Sequence, residues 1–465
     1  MVSSPTSLAA TLELIHSYTA AHSAEQWAAA AADPGTRVLL ASYNCPHRIG
    51  NNLHQFTNAF ALALLERRWL LWSGDVNASC SKYLHRRGWL LTREQAKNGS
   101  KRATKNWSQV AIGSRELVWK PLVRTGATSA GSGAGSQPAL STSALSLCEW
   151  SRPATLANSS SNVMRFDPSR YANYQPIAAL MAAVAHRWVG PAASRVATLS
   201  AFGTGAAYGA LFHTLFTFEN ETVATPTARA LCSRFSTGAA GLCERAREGS
   251  GGQRSLGRKQ ADEFWLAVHL RTYLDDAESA LSDASFISAT RRLLSDGLAG
   301  RNSCTVLLAG DEEPLAIRRV MLQVLQRAGF PQCGIVQSEH AATEVAADDA
   351  QQVATRDHGN LTEASAVRDV FLLSMADALV GMSRVPNGFS TFALLITELI
   401  AFRKVPLTAP VVMCACEPPT FDYNKCGVQG ATSCTDRSRY CLQGTTCLDL
   451  RRESYLDKGK LLRWG

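Results

Sequence analysis

The stretch Arg37 to Trp72, RVLLASYNCPHRIGNNLHQFTNAFALALLERRWLLW, limits the folds open to this chain more than any other segment. It starts with an apolar run, Val38 to Tyr43, of the length a buried strand needs. A polar turn follows, Asn44 to Asn51, containing Pro46 and Gly50. Apolar residues then recur at Phe56, Ala59, Phe60, Ala63 and Leu64, the spacing of one helix face. Trp69 to Trp72 reads as the next strand. A strand–loop–helix–strand unit of this kind builds a parallel sheet. Ligands of such sheets sit at the carboxyl ends of strands, where loop meets helix. That rule puts His47, Arg48, Gly50, Asn51 and Asn52 at a ligand edge.

The same rhythm returns in the second half. Strands are expected at Phe264 to Leu270, Cys304 to Ala309, Gly334 to Gln337 and Ala378 to Met382. Helices are expected at Ala284 to Ser295, Pro314 to Ala328, Ala364 to Met375 and Phe389 to Phe402. Alternation of strand and helix means a second doubly wound unit. The expected class is therefore α/β, with two Rossmann-like domains facing a cleft. An N-terminal domain over 1–247 begins with an alanine-rich helical lead-in, Met1 to Pro34. It carries a Gly/Ser/Ala/Thr insertion near 126–146 and a helical pattern over Pro176 to Val189. The Gly- and Arg-rich stretch Glu248 to Lys259 marks the boundary, a second domain runs over 248–413, and a Cys-rich tail occupies 414–465.

Charge is localised. The formal net charge is +9, and Lys82 to Arg124 alone holds eleven Lys or Arg against Glu94 and Glu116. The rest of the chain is close to neutral. A basic patch attracts any anion, whether nucleotide, acidic glycan or membrane surface. Zinc-finger spacing and aromatic RNA-binding motifs are absent, which argues against nucleic acid. Of thirteen cysteines, six lie between Cys414 and Cys447 without Cys-x-x-Cys pairs or a nearby His, so a disulfide-stapled tail fits better than a zinc site. Asn-x-Ser/Thr occurs at Asn77, Asn98, Asn106, Asn158, Asn220 and Asn360. Cysteines and sequons together favour the lumen of the secretory pathway. Met1 to Gln26 has the pattern of neither a signal peptide nor a membrane anchor, so a lumenal location implies that the natural N-terminus lies upstream.

Three constellations can carry chemistry. The first is His269-Leu270-Arg271 at the end of a buried strand. A charge there is costly unless something binds it, and a guanidinium fork suits a diphosphate. An ion pair from Arg271 to Asp275 or Asp276 explains it equally well. The second is Asp377 to Phe392, where a strand ends, a Gly- and Pro-containing loop turns, and a helix starts near Ser390. Helix N-termini bind anions, and Ser383, Ser390 and Thr391 add hydroxyl donors; the same residues also make an ordinary N-cap. The third is the loop Cys45 to Asn52, where Asn51 and Asn52 can orient an acceptor or a ribose and His47 or His54 can act as base. A polar turn capping its helix is the plainer reading. Asp311, at the end of the Leu308 strand, can touch a base or ribose, or merely bias a helix N-terminus. No Asp-x-Asp follows a strand, so no metal–diphosphate clamp is expected and diphosphate handling falls to Arg and backbone amides.

In this order the pieces resemble the fucosyltransferase superfamily that includes the α-1,2, α-1,6 and protein O-fucosyltransferases. Ile49-Gly50-Asn51-Asn52 is similar to its Gly-Asn entry loop and long first helix. Tyr208 to Phe218 is similar to the segment preceding its diphosphate strand, His269-Leu270-Arg271 to its His-x-Arg motif, and Asp377 to Phe392 to its late Ser/Phe-Ser segment. Two departures stand out: Thr272-Tyr273-Leu274-Asp275 follows the arginine, and Val385 to Gly388 is an insertion. The resemblance implies a GT-B-type fold and inverting, metal-independent transfer of fucose from GDP-fucose to a glycan or glycoprotein hydroxyl, in the Golgi, with no cofactor. It implies that Arg271 holds the β-phosphate with Ser390, Thr391 and the helix N-terminus, that His269, Gly50, Asn51, Asn52, Asp311 and Ser383 contribute to donor binding, and that the base comes from among Asp275, Asp276 and His47. A non-catalytic glycan- or polyanion-binding relative of the same fold is the alternative.

Overall fold

The computed structural model describes residues 5–33, 36–41, 49–66, 68–72, 84–100, 117–119, 163–166, 201–219, 223–225, 227, 263–271, 279–310, 314–337, 363–383, 390–403, 411–416 and 445–449. The chain is α/β, with two mainly parallel sheets covered by helices. In chain order the elements are α1 (Pro5–Ala21), α2 (Ala24–Ala32), β1 (Val38–Ala41), α3 (Ile49–Glu66), β2 (Trp69–Trp72), β3 (Leu84–Arg86), α4 (Arg93–Ser100), β4 (Leu117–Trp119), β5 (Val163–Phe166), α5 (Ala201–Leu215) and β6 (Phe216–Phe218). Then come β7 (Glu263–Arg271), α6 (Ser279–Ser282), α7 (Ala284–Leu298), β8 (Ser303–Gly310), α8 (Pro314–Ala328), β9 (Gly334–Gln337), α9 (Glu363–Ser374), β10 (Ala378–Ser383), α10 (Thr391–Arg403), β11 (Val411–Cys416) and β12 (Thr445–Asp449). The predicted helix over Pro176 to Val189, the 126–146 insertion and the 248–259 boundary lie outside the described residues.

The first sheet has the order β2-β1-β5-β4, all parallel. Leu39, Ala41 and Leu70 pack toward α3, while Val38, Leu40 and Leu71 pack toward Trp27 and Ala31 of α2 and Ala96 of α4. A strand buried on both faces must be apolar throughout, which is why VLLA and WLLW lack alternation. α1 docks through Tyr18, whose hydroxyl donates to the Arg68 carbonyl at 2.6 Å and accepts from the Leu70 amide at 2.9 Å. Burial raises the Tyr18 phenol above its ordinary range.

His22 stacks on Tyr18 at 3.7 Å, and burial lowers its pKa below the usual 6.5. The unfolded chain therefore binds the proton more readily, so stability contributed here is complete above pH 6.5 and declines as the pH falls below it. His22→Gln should flatten the acid-side fall of Tm between pH 7.5 and 5.5, measured as a Tm–pH profile beside the parent chain.

The second sheet has the order β12-β11-β10-β7-β8-β9, parallel except for antiparallel β12. Phe264, Leu266, Val268 and Leu270 pack with Phe286, Leu293, Val320 and Leu325 of α7 and α8. Trp265 and Ala267 face the other way, toward Val370, Phe371, Leu395 and Leu399 of α9 and α10. Every strand and helix expected here forms, with bounds shifted by at most three residues. The sheet continues past residue 413: β11 pairs with β10, and β12 places Cys447 opposite Cys414 in register. A buried disulfide, Cys304–Cys333, ties the start of β8 to the turn before β9, outside the cysteine cluster that the spacing had singled out.

The two sheets share one core. α3, from the first sheet, and α10, from the second, pack against each other and against α5. Helical spacing predicts one buried face for α3, yet it is buried all round from Leu53 to Leu64 because it has sheet on one side and helices on the other. Two of its buried polar residues close on the helix itself: Thr57 Oγ1 donates to Leu53 O at 2.8 Å and Asn58 Nδ2 to His54 O at 2.8 Å.

Candidate functional site

Strand order locates the site. From β7 the chain moves outward to β8 and β9, then returns to the far side of β7 with β10 and β11. The order thus reverses between β7 and β10, and crevices for ligands open at the carboxyl ends flanking such a reversal. Arg271 ends β7 and Ser383 ends β10, and the two are direct partners in register. The first sheet reverses likewise between β1 and β5, so the loop after β1 that leads to Gly50, Asn51 and Asn52 leaves from its switch point.

Pleating sets the side chains of this edge. His269 and Arg271 are two residues apart, so they share the face of β7 that meets α10. The His269 ring lies 4.9 Å from that of Phe392 in the first turn of α10. Arg271 Nη1 donates to Ser390 Oγ at 3.5 Å. Ser390 is fully buried, and its carbonyl accepts from the Leu394 amide at 3.0 Å, which makes it the N-cap of α10. A 3.5 Å bond is near the outer limit for a hydrogen bond and is readily exchanged for a better acceptor. The first-turn amides of α10 and the positive end of its dipole lie beside the guanidinium. This edge can hold an anion with a planar fork on one side and helix amides on the other.

Other predicted residues are placed less fully. Gly50, Asn51 and Asn52 form the first turn of α3, and Ser383 and Thr391 take the strand-end and helix-start positions expected of them. His47, Asp275, Asp276 and Asp311 lie outside the described residues. His54 is corrected as a base: it is fully buried, with Nδ1 2.6 Å from Gly50 O and Nε2 2.9 Å from Glu398 Oε2. A base must reach an acceptor hydroxyl, and this ring is walled in.

Asp377 opens the motif that Ser390 closes, yet it stands at the opposite, amino-terminal edge of the sheet. Its Oδ2 accepts from the Trp265 amide at 2.9 Å and from Arg301 Nη1 at 3.1 Å. Its role is to fasten β10 to β7 and to the turn before β8. Asp377→Ala should cost about 2–3 kcal/mol, because a buried amide donor and a guanidinium lose their acceptor, whereas Asp377→Asn should cost less than half of that. Urea titration monitored by tryptophan fluorescence would measure both.

Glu398 escaped the sequence reading. The available signal was an acidic residue in the apolar run Thr391–Arg403, where burial demands a partner. Among the described residues, no group of three His, Cys, Asp or Glu is placed to hold a metal ion, and no helix is long and apolar enough to cross a membrane.

No protein-family model and no curated protein sequence matches the chain. Solved structures similar to it include the FUT1 protein of Arabidopsis thaliana in complex with GDP, at 10% identity and a TM-score of 0.44, covering 87% of this chain and 78% of that one. The fucosyltransferase NodZ from Bradyrhizobium is similar at 13% identity and a TM-score of 0.36, covering 89% of this chain and 99% of that one. NodZ alpha-1,6-fucosyltransferase co-crystallized with GDP is similar at 12% identity and a TM-score of 0.35, with the same coverage. At such identities and scores the likeness by itself assigns no activity.

Proposed function

We propose that this chain is a nucleotide-sugar glycosyltransferase, and more finely an inverting fucosyltransferase that uses GDP-fucose without a metal. The observation that carries the proposal is the meeting of Arg271 with the Ser390 N-cap at the switch point of the second sheet. The ordered motifs of the sequence, from Gly50-Asn51-Asn52 through His269-Leu270-Arg271 to Ser390, support the guanosine donor and the fucosyl group.

In the proposed reaction an acceptor hydroxyl of a glycan or glycoprotein attacks the anomeric carbon of fucose. The bond from that carbon to the β-phosphate oxygen breaks, and its electron pair leaves with GDP. Negative charge grows on the phosphate as the bond lengthens, and Arg271 with the α10 amides stabilises it. The hydroxyl proton passes to a carboxylate or imidazole, with Asp275, Asp276 and His47 as candidates, or to the departing phosphate. His269, packed on Phe392, holds the wall of the site beside the arginine. The Cys304–Cys333 disulfide and the six sequons fit an oxidising secretory lumen, and the resemblance to fucosyltransferases points within it to the Golgi.

Thermal shift with GDP, UDP, CMP and ADP in the presence of EDTA tests the donor. A nucleotide at 100 times its Kd stabilises by about 2.7 kcal/mol. Selective stabilisation by GDP is expected; a preference for UDP overturns the fucosyl assignment. GDP binding without turnover of GDP-fucose over a panel of acceptors would favour a non-catalytic glycan-binding relative.

A further inference from the structure

Glu398 lies two turns beyond Ser390 on α10, about 12 Å along the axis at 1.5 Å per residue. His54 lies one turn beyond Gly50 on α3. Their side chains meet at 2.9 Å with neither exposed at all. Gly50 O can only accept, so His54 Nδ1 carries a hydrogen and donates to it at 2.6 Å. The facing atoms, Nε2 and Oε2, would oppose lone pairs without a hydrogen between them. Tyr208 of α5 lies against the imidazole at 4.7 Å, and the Glu398 carbonyl is pressed against Gly209, where an added Cβ would come within 2.6 Å of it.

A buried ion pair is weak evidence for stability, since apolar residues of the same size often serve as well or better. A short polar contact between two fully buried side chains does something apolar packing cannot: it ties one helix to another at a single pair of atoms and so fixes their rotation and axial register. Here the helices belong to different sheets, and each begins at a proposed ligand edge. The path runs from the first turn of α3 through Gly50, His54 and Glu398, along α10 to Ser390 and Arg271.

We propose that His54 and Glu398 are a positioning pair that locks the first turn of α3, at the ligand edge of the first sheet, in register with the diphosphate edge at Arg271 and Ser390. The catalytic part of this inference rests on the glycosyltransferase reading; the mechanical part does not. Positioning errors of about 1 Å can cost 10²-fold in rate, so a pair that sets register acts on turnover without touching substrate.

The test uses His54→Phe, Glu398→Met, the double variant and Glu398→Gln in the full chain. Each single variant strands a buried partner and should lower Tm. The double variant removes both polar groups and should recover most of the Tm. Amide exchange of residues 53–56, whose amides close the first turn of α3, should nevertheless be at least tenfold faster in the double variant, because the Gly50 carbonyl has lost its side-chain tie. Turnover of GDP-fucose should stay at least tenfold down, as a fall in kcat or a rise in the KM of donor or acceptor. Glu398→Gln, whose amide can donate to Nε2, should keep about tenfold more activity than Glu398→Met. A double variant with parental exchange over 53–56 overturns the mechanical part, and one with parental kcat and KM overturns the catalytic part. Absence of GDP binding by the parent protein sinks the glycosyltransferase reading instead, and the exchange experiment still decides the register lock.

Discussion

Arg271→Ala is expected to lower fucosyl transfer about 10²–10³-fold, the usual consequence of removing a donor aimed at developing charge. The loss should fall mainly on kcat, because the phosphate becomes more negative as the sugar bond breaks and the guanidinium interacts most strongly at that point. GDP should stabilise the variant less than the parent, since the product diphosphate keeps part of that charge. Arg271→Lys is the sharper probe. It keeps the charge but replaces a planar fork with a point charge, so it should recover only part of the rate if two parallel hydrogen bonds are used. Folding should survive both changes, because Arg271 is the last, half-exposed residue of β7 and its contact with Ser390 is long. The measurements are steady-state kinetics with GDP-fucose and thermal shift with GDP. Parental kcat in Arg271→Ala, with the protein folded, would overturn the assigned role.

The alternation that makes this chain α/β was legible because it depends on local rules. Pro314 to Ala328 and Gly334 to Gln337 form with the bounds that spacing predicted, since a helix face and a short apolar strand are set by near neighbours. Arg271 and Ser390 were legible as separate anion-binding candidates; their meeting was not, because 119 residues separate them and strand order has no signature in a single strand. The reversal between β7 and β10 that aligns them is a property of the whole sheet. His54 shows the opposite failure. Its neighbours in sequence suggest an exposed polar turn, and only packing of α10 and α5 over α3 buries it. Glu398 was overlooked for the same reason: helical periodicity weighs the apolar residues around it and says nothing of a partner on another sheet. Asp377 belongs by sequence to the motif of Ser390, yet a strand carries its two ends to opposite edges of the sheet.

Gly209→Val should be the most destabilising single substitution among those considered. A Cβ at this position would lie 2.5 Å from Phe402 Cβ and 2.6 Å from Glu398 O, distances that no rotamer change relieves because both obstacles belong to the frame of α10. Overpacking usually costs about 1–3 kcal/mol when side chains can shift; here two helices must separate, and about 4 kcal/mol is the expected scale. That is a large share of the 5–15 kcal/mol by which most domains are stable. The small residue is needed for proximity rather than for backbone freedom. Gly209→Ala should cost about half as much, because one methyl group still meets the same two atoms but sets a smaller separation. Both variants push α5 and α10 apart beside the His54–Glu398 contact, so whatever remains folded should also lose activity beyond its loss of folded fraction. Urea titration gives the first quantity, and specific activity corrected for folded protein the second. If Gly209→Val unfolds at the parental midpoint, α5 and α10 do not pack through this glycine, and the shared core of the two sheets is wrongly drawn.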